Sequence, residues 1–173
     1  MKNKQRFTIW LTGLPCSGKS TIAQLLAKKL KKQKISIEIL DGDVIRKKLW
    51  SNLGFSKKDR IENLKRTIQI AKKFNKEKIN TIVAFVSPYR SIRAYARRQL
   101  TDFIEVYVKC PVEICMQRDV KGLYKKAQKG ELKNFTGISH PYEEPINPDV
   151  VVETNRLTPI QSVNKILKYL FYK

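Results

Sequence analysis

Residues 13–20 read Gly-Leu-Pro-Cys-Ser-Gly-Lys-Ser, which matches the pattern GxxxxGK[ST]. An apolar, β-rich run at 7–12 precedes this octapeptide, and apolar residues recur at helical spacing over 22–30. A strand, a glycine-rich turn and a helix in this order are the context in which the pattern binds nucleotide phosphates. Backbone N–H groups of the turn and the positive end of the helix surround the anion. The motif therefore predicts a P-loop that binds a nucleoside triphosphate.

The polar residues of this loop have distinct predicted roles. Lys19 places a positive charge between the β- and γ-phosphates, and the Ser20 hydroxyl is a ligand for Mg²⁺. The residues predicted to bind ATP within the motif are Gly13, Leu14, Pro15, Cys16, Ser17, Gly18, Lys19, Ser20 and Thr21.

Strand-like and helical patterns alternate along the rest of the chain. The predicted strands are 7–12, 36–40, 81–86, 103–108 and 150–153. Beyond the first helix, helical patterns cover 57–74, 91–100, 112–118 and 159–171. This alternation predicts an α/β fold, in which helices flank a central parallel five-stranded sheet on both faces. With no repeat and no linker, the 173 residues are expected to form a single domain, 1–173.

The segment 119–148 interrupts this pattern, because it has three glycines, three prolines and little apolar periodicity. A long irregular stretch inside a compact domain is usually functional, and the segment is predicted to be a mobile lid. The alternative is a disordered surface insertion.

Charge and composition restrict the partners. The chain has 36 Lys+Arg against 15 Asp+Glu, a net charge of +21, which favours polyanions. Its lysines are dispersed, as in proteins of AT-rich genomes, so nucleic acid is not expected as the main partner, whereas a small anionic substrate is. The three cysteines form no disulfide or zinc pattern. With no apolar run near the roughly 20 residues of a membrane span and no signal-peptide pattern, a cytoplasmic location is predicted.

Carboxylates after the second predicted strand narrow the class. Asp41 and Asp43 lie at the sheet edge that is expected to face the P-loop. A GTPase would need an NKxD sequence, which the chain lacks, and a motor ATPase would need an acid after the third strand, where 86–90 reads Val-Ser-Pro-Tyr-Arg. Small phosphotransferases carry a substrate-side carboxylate after the second strand. A kinase is therefore predicted, and the parallel sheet with its P-loop would then be a three-layer P-loop kinase fold.

Several longer motifs occur in a characteristic order. They are 8–14, the P-loop, 40–43 (Leu-Asp-Gly-Asp), 53–63, 85–90 (Phe-Val-Ser-Pro-Tyr-Arg), 118–119, 121–127 (Lys-Gly-Leu-Tyr-Lys-Lys-Ala) and 134–137 (Asn-Phe-Thr-Gly). In these motifs the sequence resembles the adenylylsulfate (APS) kinase family. The resemblance implies transfer of the γ-phosphoryl group of ATP to the ribose 3′-hydroxyl of adenosine 5′-phosphosulfate, with Mg²⁺ as cofactor. It also allows a homodimer, since family members are often dimers.

The resemblance also assigns catalytic and metal-binding roles. Asp43 would accept or orient the 3′-hydroxyl, with a helix N-cap as the alternative. Asp41, together with Ser20, would belong to the magnesium site, or Asp41 would only fix the turn. Ser87 joins Lys19 and Asp43 in the predicted catalytic group.

The resemblance further implies an acceptor site. Two arginines would clamp the 5′-phosphoryl group, and two phenylalanines would sandwich the base. The implied acceptor-binding residues are Asp43, Arg46, Phe55, Arg60, Asn63, Ser87, Pro88, Lys121, Leu123 and Phe135. Arg118 would lie beside the ATP.

Three positions depart from the family pattern, namely Val44, Trp50 and Gln128. A large Trp50 could favour a pyrimidine acceptor, so the first alternative is the same reaction on a cytidine-based acceptor such as cytidine diphosphoramidate. The second is a polyanion-binding module that has lost catalysis. His140, the only histidine, is expected to be solvated and not catalytic.

Overall fold

A parallel five-stranded sheet forms the centre of the computed structural model, which describes residues 6–49 and 53–172. The strands are β1 (Thr8–Thr12), β2 (Ile37–Asp41), β3 (Asn80–Ala84), β4 (Phe103–Lys109) and β5 (Val150–Glu153). Their order is β2-β3-β1-β4-β5, and every neighbouring pair is parallel. The predicted α/β class and sheet are confirmed.

Helices connect the strands and cover both faces of the sheet. They are α1 (Lys19–Lys32), α2 (Gly42–Leu49), α3 (Lys57–Lys76), α4 (Arg90–Gln99), α5 (Val112–Gln117), α6 (Leu123–Gln128) and α7 (Pro159–Tyr172). On one face, α1 and α7 pack over Ile9 and Leu11, and on the other α3 and α4 pack around Trp10. Alternate residues of β1 thus enter two separate cores, which explains why this strand reads as a continuous apolar run.

The strand order positions the site. β1 lies between β3 and β4, and the chain connections to strands on its two sides run in opposite directions. The loop after β1 therefore opens at this switch point. Such a switch point leaves a crevice at the carboxyl edge, and ligands of open α/β sheets bind there. The P-loop, the carboxylates after β2 and the turn after β3 all reach this crevice.

Two short helices add detail to the sequence-based expectations. Helix α2 follows β2 without a loop, so Asp43 lies in the first turn of a helix. Helix α6 lies inside 119–148, the segment expected to be irregular. The carboxylate of Asp119 explains α6, because it accepts hydrogen bonds from the backbone N–H groups of Leu123, Tyr124 and Lys125. This cap supplies the start signal that apolar periodicity does not show in so short a helix.

Within the described residues, no helix is both long enough and apolar enough to cross a membrane.

Candidate active site

The P-loop is a tight turn whose backbone geometry requires glycine at two positions. A Cβ atom at Gly13 would lie 2.4 Å from the carbonyl oxygen of Val108 in β4, so only glycine fits there. Gly18, directly before α1, has φ 98°, in the left-handed region that favours glycine. Cys16 is also left-handed, with φ 60°. The predicted motif therefore adopts a compact loop closed against the neighbouring strand.

Lys19 folds back over this loop. Its Nζ donates hydrogen bonds to the carbonyl oxygens of Gly13 (3.1 Å) and Leu14 (2.6 Å). Burial lowers the pKa of Lys19 to about 8, because desolvation disfavours the charged form. A phosphate group beside Nζ would favour the charged form again, so this ammonium is suited to a polyanionic ligand.

Ser20 and Asp41 form the oxygen-rich part of the site. The Ser20 hydroxyl donates to Asp41 Oδ2 at 2.6 Å, and Asp41 Oδ1 accepts from the backbone N–H of Asp43 at 3.0 Å. The described residues hold no cluster of three His, Cys, Asp or Glu side chains that could bind a metal alone. Mg²⁺ usually takes one or two protein oxygens together with phosphates and waters, so this hydroxyl–carboxylate pair fits a Mg²⁺–nucleotide complex.

Asp43 and Lys121 form an ion pair across the mouth of the site. Asp43 lies in the first turn of α2 and Lys121 lies 78 residues later, in the predicted lid. The hydrogen bond to Asp43 raises the pKa of Lys121. The hydrogen bond that fixes the turn before α2 is accepted by Asp41, while the carboxylate of Asp43 is largely exposed. This geometry favours a chemical role for Asp43 over a cap.

Two arginines organise the predicted acceptor side. The guanidinium of Arg46 lies 4.0 Å from the ring centroid of Phe55 and also donates to the carbonyl oxygen of Leu53 (2.6 Å). Arg60 donates to the carbonyl oxygens of Phe55 (3.0 Å) and Asn134 (2.6 Å), which joins α3 to the segment 119–148. Because Arg46 covers one face of Phe55, a base could stack on that face only after the guanidinium moves.

Two polar atoms in this part of the chain have no partner among the described residues. Asn63 Oδ1, on α3, and Thr136 Oγ1, in the segment 119–148, are both buried without a hydrogen bond. Such groups cost free energy unless a ligand or water satisfies them, which is consistent with the predicted role of Asn63 in binding the acceptor. Thr136 was not singled out from the sequence, although it directly follows Phe135. Phe135 itself packs edge-on against Tyr124, with centroids 4.9 Å apart.

Ser87 and Pro88 form the turn after β3. Ser87 has φ 46°, is 2% exposed, and its Oγ accepts a hydrogen bond from Trp10 Nε1 at 3.0 Å. The buried Arg93 donates to the carbonyl oxygens of Ser87 (2.5 Å) and Glu143 (2.6 Å). Arg93 thus joins this turn to the end of the predicted lid. Sequence reasoning missed its role, because one arginine in so basic a chain gives no distinctive signal.

Arg118 is connected to the P-loop through Thr154. Its guanidinium donates to Thr154 Oγ1 (3.1 Å) and to the Thr154 carbonyl (2.7 Å), and Thr154 Oγ1 donates to the carbonyl of Ser17 (2.9 Å). Its predicted position beside a bound nucleotide is consistent with these contacts. Leu123 begins α6 directly after the turn that carries Lys121.

The structure bears differently on the single histidine and on the three positions that depart from the family pattern. His140 is half-buried, and its Nε2 lies 2.6 Å from the hydroxyl of Tyr89, so the expectation of a solvated histidine is wrong. Burial lowers its pKa. Val44 and Gln128 are exposed, whereas Trp50 lies outside the described residues.

The P-loop holds the buried Lys19, Asp41 and Asp43 lie at the carboxyl end of β2, and Lys121 from the segment 119–148 pairs with Asp43. This combination defines a P-loop kinase. Residues 5–153 match the family model described as adenylylsulphate kinase, and the chain belongs to this family. It is therefore related to phosphotransferases with an alcohol acceptor, as its sequence indicated.

Curated relatives agree with this assignment. The chain is 46% identical to adenylyl-sulfate kinase of Halothermothrix orenii over 170 residues, covering 98% of the chain and 92% of that protein. It is 52% identical to adenylyl-sulfate kinase of Thermodesulfovibrio yellowstonii over 166 residues, covering 95% of the chain and 83% of the relative.

Solved structures agree as well. The APS kinase of Mycobacterium tuberculosis in complex with AMPPNP and APS superposes with a TM-score of 0.89 at 41% identity, covering 94% of this chain and 96% of that one. Shikimate kinase of Aquifex aeolicus, at 21% identity and a TM-score of 0.52, covering 94% of this chain and 95% of that one, shares the fold.

Proposed function

We propose that this protein transfers the γ-phosphoryl group of ATP to the ribose 3′-hydroxyl of adenosine 5′-phosphosulfate. The observation that carries the proposal is the exposed Asp43 carboxylate, which pairs with Lys121 beside the hydrogen-bonded Ser20 and Asp41. In-line transfer to a hydroxyl requires a base near the phosphate-binding loop, and the exposed Asp43 carboxylate supports this assignment.

Each residue then has a task. Lys19 stabilises charge on the transferring phosphoryl group, and Asp43 orients the attacking hydroxyl and receives its proton. Ser20 and Asp41 would hold Mg²⁺, which would neutralise negative charge on the nucleotide phosphates. Lys121 adds positive charge from the lid, which we take as 119–148, and helps to exclude water when it closes.

The family relatives decide between the possible acceptors. The relatives named above are adenylyl-sulfate kinases, and one solved neighbour contains APS. No described contact favours the cytidine-based acceptor, and the residue that suggested it, Trp50, lies outside the described residues. The complete P-loop and the Asp43–Lys121 pair also oppose a module without catalysis.

An ADP-release assay tests the proposal directly. Adenosine 5′-phosphosulfate, a cytidine diphosphate analogue and simple nucleoside monophosphates are compared at equal concentration with Mg²⁺ and ATP. We expect ADP release with adenosine 5′-phosphosulfate, and a product phosphorylated at the 3′ position by NMR. Preference for the cytidine compound would establish the alternative acceptor, and no acceptor-dependent release would refute the proposed reaction.

Removing either phenylalanine of the acceptor side is expected to weaken acceptor binding. For Phe55→Ala and Phe135→Ala we predict a higher KM for adenosine 5′-phosphosulfate, since loss of a stacking face costs about 1–3 kcal/mol. Steady-state kinetics measure KM for both substrates. The KM for ATP is the internal control for Phe55, which is 54% exposed and contributes little to the core. An unchanged acceptor KM in both variants would contradict the stacking role.

A further inference from the structure

Tyr124 lies between the two halves of the proposed site. It belongs to α6, is 1% exposed, and packs with Cys110 and Cys115 in a small core at the base of the predicted lid. Leu14 of the P-loop and Phe135 both pack against the same core. One buried side chain therefore contacts both the phosphate-binding loop and the aromatic residue proposed for the acceptor base.

The contact with the P-loop is a directed hydrogen bond. The Tyr124 hydroxyl donates to the carbonyl oxygen of Pro15 at 3.0 Å. In a planar trans peptide the C=O and N–H groups point in opposite directions, so the N–H of Cys16 points away from Tyr124. Cys16 has a left-handed φ of 60°, a conformation that costs free energy for a residue with a side chain. The hydrogen bond thus helps to fix one peptide of the loop whose N–H groups hold phosphates.

The contact with the acceptor side is aromatic. The rings of Tyr124 and Phe135 meet edge to face, with centroids 4.9 Å apart and planes at 79°. This side of the lid also packs tightly on the loop, since a Cβ atom at Gly137 would lie 3.0 Å from Leu14. A base that stacks on Phe135 would set the ring position of Tyr124, and hence its hydroxyl.

Hydrogen bonds also hold the backbone at Tyr124. Asp119 accepts hydrogen bonds from the N–H groups of Leu123 and Tyr124, both at 2.8 Å. The turn that Asp119 caps carries Lys121, the partner of Asp43. Movement of α6 would therefore change the contacts that its residues make with the P-loop and Phe135, and the position of Lys121 beside Asp43.

We infer that Tyr124 is a positioning residue that couples acceptor binding to triphosphate binding, through its hydroxyl on Pro15 and its ring on Phe135. This inference rests on the proposed function. Its thermodynamic consequence is reciprocal: the acceptor strengthens nucleotide binding by the same factor by which the nucleotide strengthens acceptor binding.

Tyr124→Phe tests this inference, because it removes the hydroxyl and keeps the ring. The dissociation constant of AMPPNP with Mg²⁺ is measured by calorimetry without and with saturating adenosine 5′-phosphosulfate. We expect the acceptor to tighten AMPPNP binding in the wild type, and this tightening factor to fall about three- to tenfold in Tyr124→Phe, the range for one hydrogen bond. Phe135→Leu, which interrupts the other contact, should also reduce the factor.

Tyr169→Phe is the matched control. Tyr169 lies on α7, away from the P-loop, and its hydroxyl donates to Asp149 at 2.9 Å. Loss of this hydroxyl should leave the tightening factor unchanged. Thermal unfolding of all variants separates a loss of stability from a loss of coupling. A wild-type tightening factor retained in Tyr124→Phe, or independent binding in the wild type, would overturn the inference. If the wild type binds neither AMPPNP nor the acceptor, the proposed function fails and the inference fails with it.

Discussion

Lys19→Ala should abolish phosphoryl transfer while leaving the protein folded. The Nζ group is buried against the carbonyl oxygens of Gly13 and Leu14, where its charge is poorly solvated and therefore acts strongly on a phosphate. Removing a positive charge aimed at the transferring phosphoryl group is expected to lower kcat by roughly 10³-fold or more. ADP-release kinetics measure this loss.

Lys28→Ala provides a matched control for that experiment. Lys28 lies on the same helix, α1, but its side chain is exposed, so its removal lowers the net charge equally without affecting the loop. We expect its kcat to remain near that of the wild type. Circular dichroism and thermal unfolding show whether each variant is folded. An active, folded Lys19→Ala protein would be incompatible with the P-loop assignment.

Asp43→Asn should lower kcat by roughly a hundredfold or more, with a modest change in the affinity for ATP. The substitution keeps the shape of the side chain and removes the negative charge, so it removes the proposed general base. It also weakens the ion pair with Lys121, which links the predicted lid to α2. Steady-state kinetics with both substrates separate the two effects, because loss of the base acts on kcat whereas a poorly placed lid also raises KM.

Asp102→Asn is the control for the same chemical change. Asp102 is an exposed residue with φ 41°, a conformation that asparagine tolerates, and it lies at the amino end of β4, opposite the site. Its kinetics should match the wild type. If Asp43→Asn lost stability but kept its kcat, Asp43 would be a structural residue of the α2 turn and the proposed base would be wrong.

The elements that were best predicted from the sequence are those whose conformation depends on residues close together in the chain. The P-loop required glycine at 13 and 18, and the structure shows a close approach at the first and a left-handed conformation at the second. The five strands were found because buried parallel strands read as apolar runs. Helix α6 was missed, because its stability depends on the Asp119 cap more than on apolar periodicity.

Sequence-based predictions for the site were wrong or left alternatives open where a side chain's partner is distant in sequence. His140 was expected to be solvated, yet it meets Tyr89, 51 residues earlier. For Asp43, where an N-cap was the alternative, the distant partner is Lys121, 78 residues later, while Asp41 accepts the hydrogen bond of the turn. Arg93 gave no signal at all until the fold placed it between two carbonyl groups.

By itself, the sequence of this protein determined the class: a phosphate-binding loop between a strand and a helix, and acids after the second strand. These features depend on backbone conformation and on residues adjacent in the chain. Only the tertiary structure decided which groups meet, such as Lys121 with Asp43 and Tyr124 with Pro15, pairs separated by 78 and 109 residues. The physical reason is the strand order β2-β3-β1-β4-β5, which brings loops from distant parts of the chain to one edge of the sheet.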